Sequence, residues 1–254
     1  MRRLYLSPSN QPANRYAVGN TTEKIEMEVV AKAVQFYLQD YEVETVMASL
    51  YLNFAYRDEE ARLKGCTDYL AIHSNAGGGG TAIGTVAFYH RNQPSTKILA
   101  EKLVSRLDGI CPYKENRANQ VVDGMAQYDG YGLGEVREPA KKGINANLLE
   151  VNFHDNPLTA KWIIDNKDAI AKEIAMAYVE TYSIAKKRVD KVQFATVVAK
   201  PYLNVRADAG TQFPKIAYLE DTSEVWIMGE KDGWYKVAWG PNQGWVSAKY
   251  LKLI

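Results

Sequence analysis

The stretch DYLAIHSNAGGGG, residues 68–80, decides how the chain is read. Asp68 to Ile72 is a short apolar run of strand type, and the glycines Gly77 to Gly80 punctuate it and let the backbone turn away. His73, one of only three histidines in 254 residues, is therefore expected at the carboxyl edge of a strand. Similar runs recur on both sides of this stretch. RRLYLS (2–7), VETVMAS (43–49), TAIGTVAFYH (81–90) and ANLLEVNF (146–153) read as strands. They alternate with helical stretches at 22–41, 57–65, 95–110 and 157–184. In the first helix the apolar spacing at Ile25, Val29, Val30, Ala33, Phe36 and Tyr37 predicts the buried face. Strands alternating with helices predict an α/β fold, a mixed sheet with helices on both faces.

The character changes after Lys186. AKKRVDKVQ (185–193) is a charged connector, and the remainder has no helical period. Its β-branched and aromatic runs are separated by turn signals at Asp208-Ala209-Gly210, Asp232-Gly233 and Gly240-Pro241, which predicts a small all-β, SH3-like barrel. The expected division is a first domain over 1–183, a linker over 184–194 and a second domain over 195–254.

Bulk properties narrow the function. Lys and Arg number 31 against 30 Asp and Glu, so no global field draws the chain to nucleic acid or an anionic membrane. Cys66 and Cys111 have neither the spacing of a metal knuckle nor the density of a disulfide framework, and read as reduced thiols. No apolar segment approaches the roughly 20 residues of a membrane span. The amino terminus, MRRLYLSPSNQP, lacks an apolar stretch of signal-peptide length, so synthesis in the cytoplasm is expected.

The tail resembles a bacterial SH3 (SH3b) domain through LNVRADAG (203–210), DGWYKVAW (232–239) and GWVSAKYL (244–251). That resemblance implies attachment to bacterial cell wall. Trp226 and Trp245 are read either as core or as groove residues; Tyr202 and Trp234 are the expected groove aromatics. The first domain resembles the zinc-dependent N-acetylmuramoyl-L-alanine amidases of the Amidase 3 family. LSPSNQ (6–11), TEKIEMEVVAKAV (22–34), AIHSNAGGGG (71–80) and ANLLEVNFHDNP (146–157) carry the match, in that order. The resemblance implies a Zn²⁺ cofactor, held by a His, a Glu and a second His, with a later catalytic Glu.

Carried over residue by residue, it implies Glu23 and His73 as metal ligands and Glu150 as the catalytic carboxylate. The alternative for Glu23 is a helix-start carboxylate interacting with the dipole; for Glu150 it is a structural pair with Arg137 or Lys141. The family's DPGHGG stands here as SPSNQP, so Asn10 occupies the place of the first histidine, and an amide is a poor zinc ligand. His154 is the expected replacement, because Glu150, Asn152 and His154 share parity if the strand persists. Asn10 or Gln11 as third ligand, or a site that has lost its metal, are the alternatives. Arg137 is either a substrate-carboxylate contact or part of an ordinary ion pair, and His90 reads as a surface or rim residue.

The expected function is hydrolysis of the amide between N-acetylmuramic acid and L-alanine in peptidoglycan, in an endolysin-like protein released by a holin or by lysis. A metal-free wall-binding protein and a zinc peptidase of the stem peptide are the competing readings.

Overall fold

In the computed structural model, which describes residues 1–49, 51–187 and 193–254, the strand β3 (Asp68–Asn75) is buried along almost its whole length. Its companions are β1 (Arg2–Pro8), β2 (Val43–Met47), β4 (Val86–Tyr89), β5 (Val121–Asp123) and β6 (Asn145–Phe153), in a six-stranded sheet of order β2-β1-β3-β6-β4-β5. β2, β1, β3 and β6 run parallel; β4 pairs antiparallel with β6 and parallel with β5, which makes the sheet mixed. A central strand covered on both faces must be apolar throughout, as Tyr69 to Ile72 are.

Alternate residues of β3 serve two cores. Leu70 and Ile72, with Leu149 and Val151 of β6, face a large cluster built with α1 (Glu23–Leu38), α3 (Pro94–Ile110), α5 (Pro157–Asp165) and α6 (Lys167–Tyr182). Tyr69 and Ala71, with Ala146 and Leu148, face a smaller one that Ala61 of α2 (Arg57–Leu63) and Val136 of α4 (Gly134–Lys141) complete. The helix α1 starts at Thr22, whose side chain caps Ile25 N–H. Its buried face is Met27, Val30, Ala31, Val34 and Leu38, while Ile25, Val29 and Phe36 are exposed. Of the face expected from spacing, Val30 is buried and Ala33 and Tyr37 pack partly against the same core, and the expectation is corrected at Ile25, Val29 and Phe36. The helix carries two apolar stripes, and the one free of aromatics, with small Ala31 at its centre, lies on the sheet.

Two elements are absent from the sequence reading. β5 is only three residues long, and α4 contains Pro139, which disguises it as a loop. The expected strand over 81–90 is shorter, because Gly78–Gly80 form a 3₁₀ turn and only Val86–Tyr89 extend. Cys66 and Cys111 are unbridged.

The chain folds as two compact units, Met1–Lys187 and Arg188–Ile254. The expected linker, 184–194, includes residues 188–192, which lie outside the described residues. The second unit is built from β7 (Gln193–Val197), β8 (Tyr202–Arg206), β9 (Lys215–Glu220), β10 (Glu224–Lys231), β11 (Trp234–Trp239), β12 (Asn242–Ser247) and β13 (Leu251–Leu253). They form one antiparallel sheet of order β13-β7-β10-β11-β12-β8-β9. Val197, Val205, Val225, Val237 and Val246 fill its interior. Gly244 in β12 is required by close approach, since a Cβ there would meet Val205 Cγ1 at 2.3 Å. Trp226 is not a core residue: 55% exposed, it packs edge-on against Phe194.

Candidate functional site

The loop after β1, the carboxyl end of β3 and the start of α4 converge on one cleft of about 760 Å³, whose lining includes His73, Glu135, Gln11 and Leu148. His73 reaches it because it leaves β3 on the same face as Tyr69 and Ala71. Its register partner on β6 is Glu150, so the two side chains stand as neighbours on that face. Glu23 arrives from the first turn of α1.

Both ring nitrogens of His73 face carboxylates: Nδ1 is 2.9 Å from Glu23 Oε1 and Nε2 is 2.8 Å from Glu135 Oε2. Each carboxylate is held in turn. Asn14 Nδ2 donates to Glu23 Oε2 at 2.6 Å and Ser74 N–H to Glu23 Oε1 at 3.3 Å. Ser7 Oγ and Tyr69 O–H donate to Glu135 Oε1 at 2.9 and 3.1 Å. Burial alone would strip the proton from His73; the charges of Glu135, Glu23 and Glu150 outweigh it and hold the imidazole well above its ordinary pKa. Burial likewise works against ionisation of Glu23 and Glu135, but hydrogen bonding to and the charge of His73 keep both carboxyls low.

Glu150 behaves oppositely. Its Oε2 is buried without a hydrogen-bond partner. Burial pushes its pKa up to about 8; the charge of His73 opposes the rise, and the negative charges of Glu23 and Glu135 add to it. One half-buried carboxyl thus exchanges its proton near neutral pH beside two that stay ionised.

The expectation that His154 joins this group is corrected by β6. The register moves from His73↔Glu150 to Asn75↔Phe153, so β6 carries one extra residue after Glu150. A bulge of that kind reverses the alternation beyond it. His154 leaves by the opposite face, where its Nδ1 lies 2.7 Å from Ser74 O and 3.0 Å from Ser74 Oγ, and its ring stacks on Tyr16 at 5.2 Å. Asn152 also departs from the expected face: it accepts Gly84 N–H at 3.1 Å.

Asn10 donates to Leu52 O at 3.4 Å, and Gln11 Nε2 comes to 3.5 Å from His73 Nδ1. Arg137 donates to the carbonyls of Tyr131 and Gly132 at 3.0 and 2.9 Å, pairs with Glu138 at 2.5 Å and lies over the Tyr131 ring. His90 sits at the end of β4, accepting Asn92 N–H at 3.2 Å.

These donors test the implied zinc. Glu23 and His73 are adjacent, and the two ionised carboxylates of Glu23 and Glu135 around one imidazolium leave a net negative charge that a cation would neutralise. A third donor is missing: Asn10 is an amide and His154 faces the other side of the sheet. Among the described residues no group of three His, Cys, Asp or Glu side chains is disposed to hold a metal ion. The expected Glu23–His73–His154 set does not fit.

Glu135 is a site residue that sequence reasoning misses. Its one signal is its place two residues before Arg137 in GLGEVREP, directly after a glycine-rich turn; Pro139 conceals the helix that orients it.

A family model described as N-acetylmuramoyl-L-alanine amidase matches residues 9–180, and one described as bacterial SH3 domain matches residues 201–252. Among solved structures, the catalytic domain of CwlV, an N-acetylmuramoyl-L-alanine amidase from Bacillus (Paenibacillus) polymyxa var. colistinus, aligns with a TM-score of 0.60 at 16% identity, over 73% of this chain and 100% of that one. An N-acetylmuramoyl-L-alanine amidase from Clostridium difficile 630 aligns at 0.59 and 19% identity, over 72% and 97%. One from Nostoc punctiforme aligns at 0.59 and 14% identity, over 72% and 97%. At these identities the likeness is one of fold. No curated protein sequence matches.

Proposed function

Because the chain belongs to the N-acetylmuramoyl-L-alanine amidase family, we propose that its first unit hydrolyses the amide joining the lactyl group of N-acetylmuramic acid to L-alanine in peptidoglycan, with Glu150 as the proton-transfer residue. The observation that carries this reading is the raised pKa of Glu150, about 8, on a carboxyl whose Oε2 has no partner. A group poised near the working pH can take a proton from an attacking water and pass it to the departing amine. His73, fixed between Glu23 and Glu135, stands next to that carboxyl on the same face of the sheet. Ser7 and Tyr69 orient Glu135 and through it the imidazole.

The family is generally zinc-dependent. In this chain Glu23 and His73 are two candidate donors without a third, so no step is assigned to a metal. Zinc titration of wild-type and Glu23→Gln chains, read by bound-metal stoichiometry, tests the point.

The second unit supports attachment to the wall. Tyr202 and Tyr218 are exposed with ring centres 5.4 Å apart, and with Asn204, Lys215 and Ile216 they line a groove of about 700 Å³. A catalytic unit joined to a wall-binding unit suits an endolysin-like role. Among the described residues no helix is long and apolar enough to cross a membrane.

A second reading, a wall-binding protein without turnover, is favoured by one observation: the amide Asn10 at the first ligand position. Mass spectrometry of a disaccharide-tripeptide after incubation separates the two. The amidase yields free disaccharide and a tripeptide beginning with L-alanine, and Glu150→Gln yields neither; intact substrate with the wild-type chain rejects the amidase.

A further inference from the structure

The loop preceding α4 is built in a way that the proton chemistry does not require. Tyr128 and Tyr131 both line the cleft with His73 and Glu135, yet they are 73% and 69% exposed. Large aromatic rings left in water at the mouth of a cleft are surfaces awaiting a ligand more often than packing residues.

The backbone that presents them is strained and held. Tyr128 and Asp129 adopt φ of 52° and 53°, in the left-handed region that disfavours non-glycine residues, and Gly130 and Gly132 continue there at 85°. A bulky residue persists in that region only where its surroundings over-determine it, and such positions cluster at functional sites. The surroundings here are explicit: Tyr131 N–H donates to Tyr128 O at 3.0 Å, and Gly132 N–H to Gln127 O at 2.9 Å. Arg137 Nη1 clamps the Tyr131 and Gly132 carbonyls, and the guanidinium lies 3.8 Å from the Tyr131 ring centre. The loop is therefore a preformed mount for two tyrosines.

We propose that Tyr128 and Tyr131 form an aromatic platform that seats the pyranose ring bearing the scissile amide. This rests on the amidase reading for the identity of the sugar. The chemistry favours sugar over stem peptide. A pyranose presents a face of polarised axial C–H groups that suits the negative face of an aromatic ring, and its hydroxyls suit the phenol O–H. The stem peptide's L-alanine and acidic second residue have no such face. Any amidase that cuts at the lactyl group must hold this sugar beside its proton-transfer carboxyl.

The test uses the full chain carrying Glu150→Gln, titrated calorimetrically with the uncleavable disaccharide N-acetylglucosaminyl-N-acetylmuramic acid. Tyr128→Ala and Tyr131→Ala are expected to weaken binding about tenfold each. Tyr131→Trp, which preserves a platform, is expected to retain binding, and Phe36→Ala, on the exposed side of α1, to leave it unchanged. In the chain with Glu150 intact, the two alanine variants should raise KM for a disaccharide-tripeptide and leave that for a D-lactoyl-tripeptide, which has no sugar, where it was. Absence of disaccharide binding in the parent, unchanged binding in both alanine variants, or equal losses on the two substrates would overturn the platform. The calorimetric arm decides it even where no substrate is cleaved, which separates its failure from that of the amidase reading.

Discussion

Replacing Glu150 by glutamine should make the protein's stability less sensitive to alkali, and by an amount that the site sets. In the folded chain this carboxyl titrates at about 8 against an ordinary value of 4.5, because it is buried near Glu23 and Glu135. Between those two pH values the folded state keeps a proton that the unfolded state has released, so stability falls as pH rises through the window and levels off above it. One pKa unit corresponds to about 1.4 kcal/mol, so the full span approaches 5 kcal/mol as an upper bound. Glutamine keeps the shape and removes the titration. Urea unfolding in the presence of a chelator, at intervals from pH 4.5 to 9, is the assay. The stability of Glu150→Gln relative to wild type should grow by roughly 1 kcal/mol per pH unit and reach a plateau near pH 8. A difference that is constant with pH would refute the reasoning, because it would mean that Glu150 is ionised throughout.

Glu135→Gln removes the charge that most strongly holds the His73 proton, so the His73 pKa should fall towards the ordinary range. With three histidines in the chain, an NMR titration can follow its ring proton; an unmoved midpoint would contradict the pairing. His154→Ala should cost about 1–3 kcal/mol through its lost contacts with Ser74 and Tyr16, while leaving amide hydrolysis within a few-fold of wild type. A loss of turnover without a loss of stability would return His154 to the site. Gly244→Ala should destabilise the second unit by about 1–3 kcal/mol or more, because the new methyl group meets Val205, and calorimetric melting of the full chain reads the loss.

What can be read from the sequence follows from where the information lies. The buried run of β3 and its neighbours is visible because a central parallel strand must be apolar, and the placement of His73 at its end follows from the glycines behind it. The grouping of Glu23, His73 and Glu150 is implied by the family resemblance; local pattern alone marks only a strand carrying His73 and a helix start at Glu23. Parity counting misplaces His154 because it assumes an unbroken strand, and the bulge in β6 has no signature in EVNFH. Glu135 is hidden because Pro139 argues against a helix that tertiary packing nevertheless forms through Val136. The rotated face of α1 has a similar cause: with apolar residues on two sides, only contact with the sheet selects which one is buried.

The most direct measurement is end-group labelling of purified sacculi digested by the full chain. Peptidoglycan amide hydrolysis at Glu150 requires new amino groups on L-alanine, no new reducing sugar ends, and loss of both the product and the turbidity change in Glu150→Gln. New amino termini on any other residue, or wild-type release of L-alanine termini by Glu150→Gln, would contradict it.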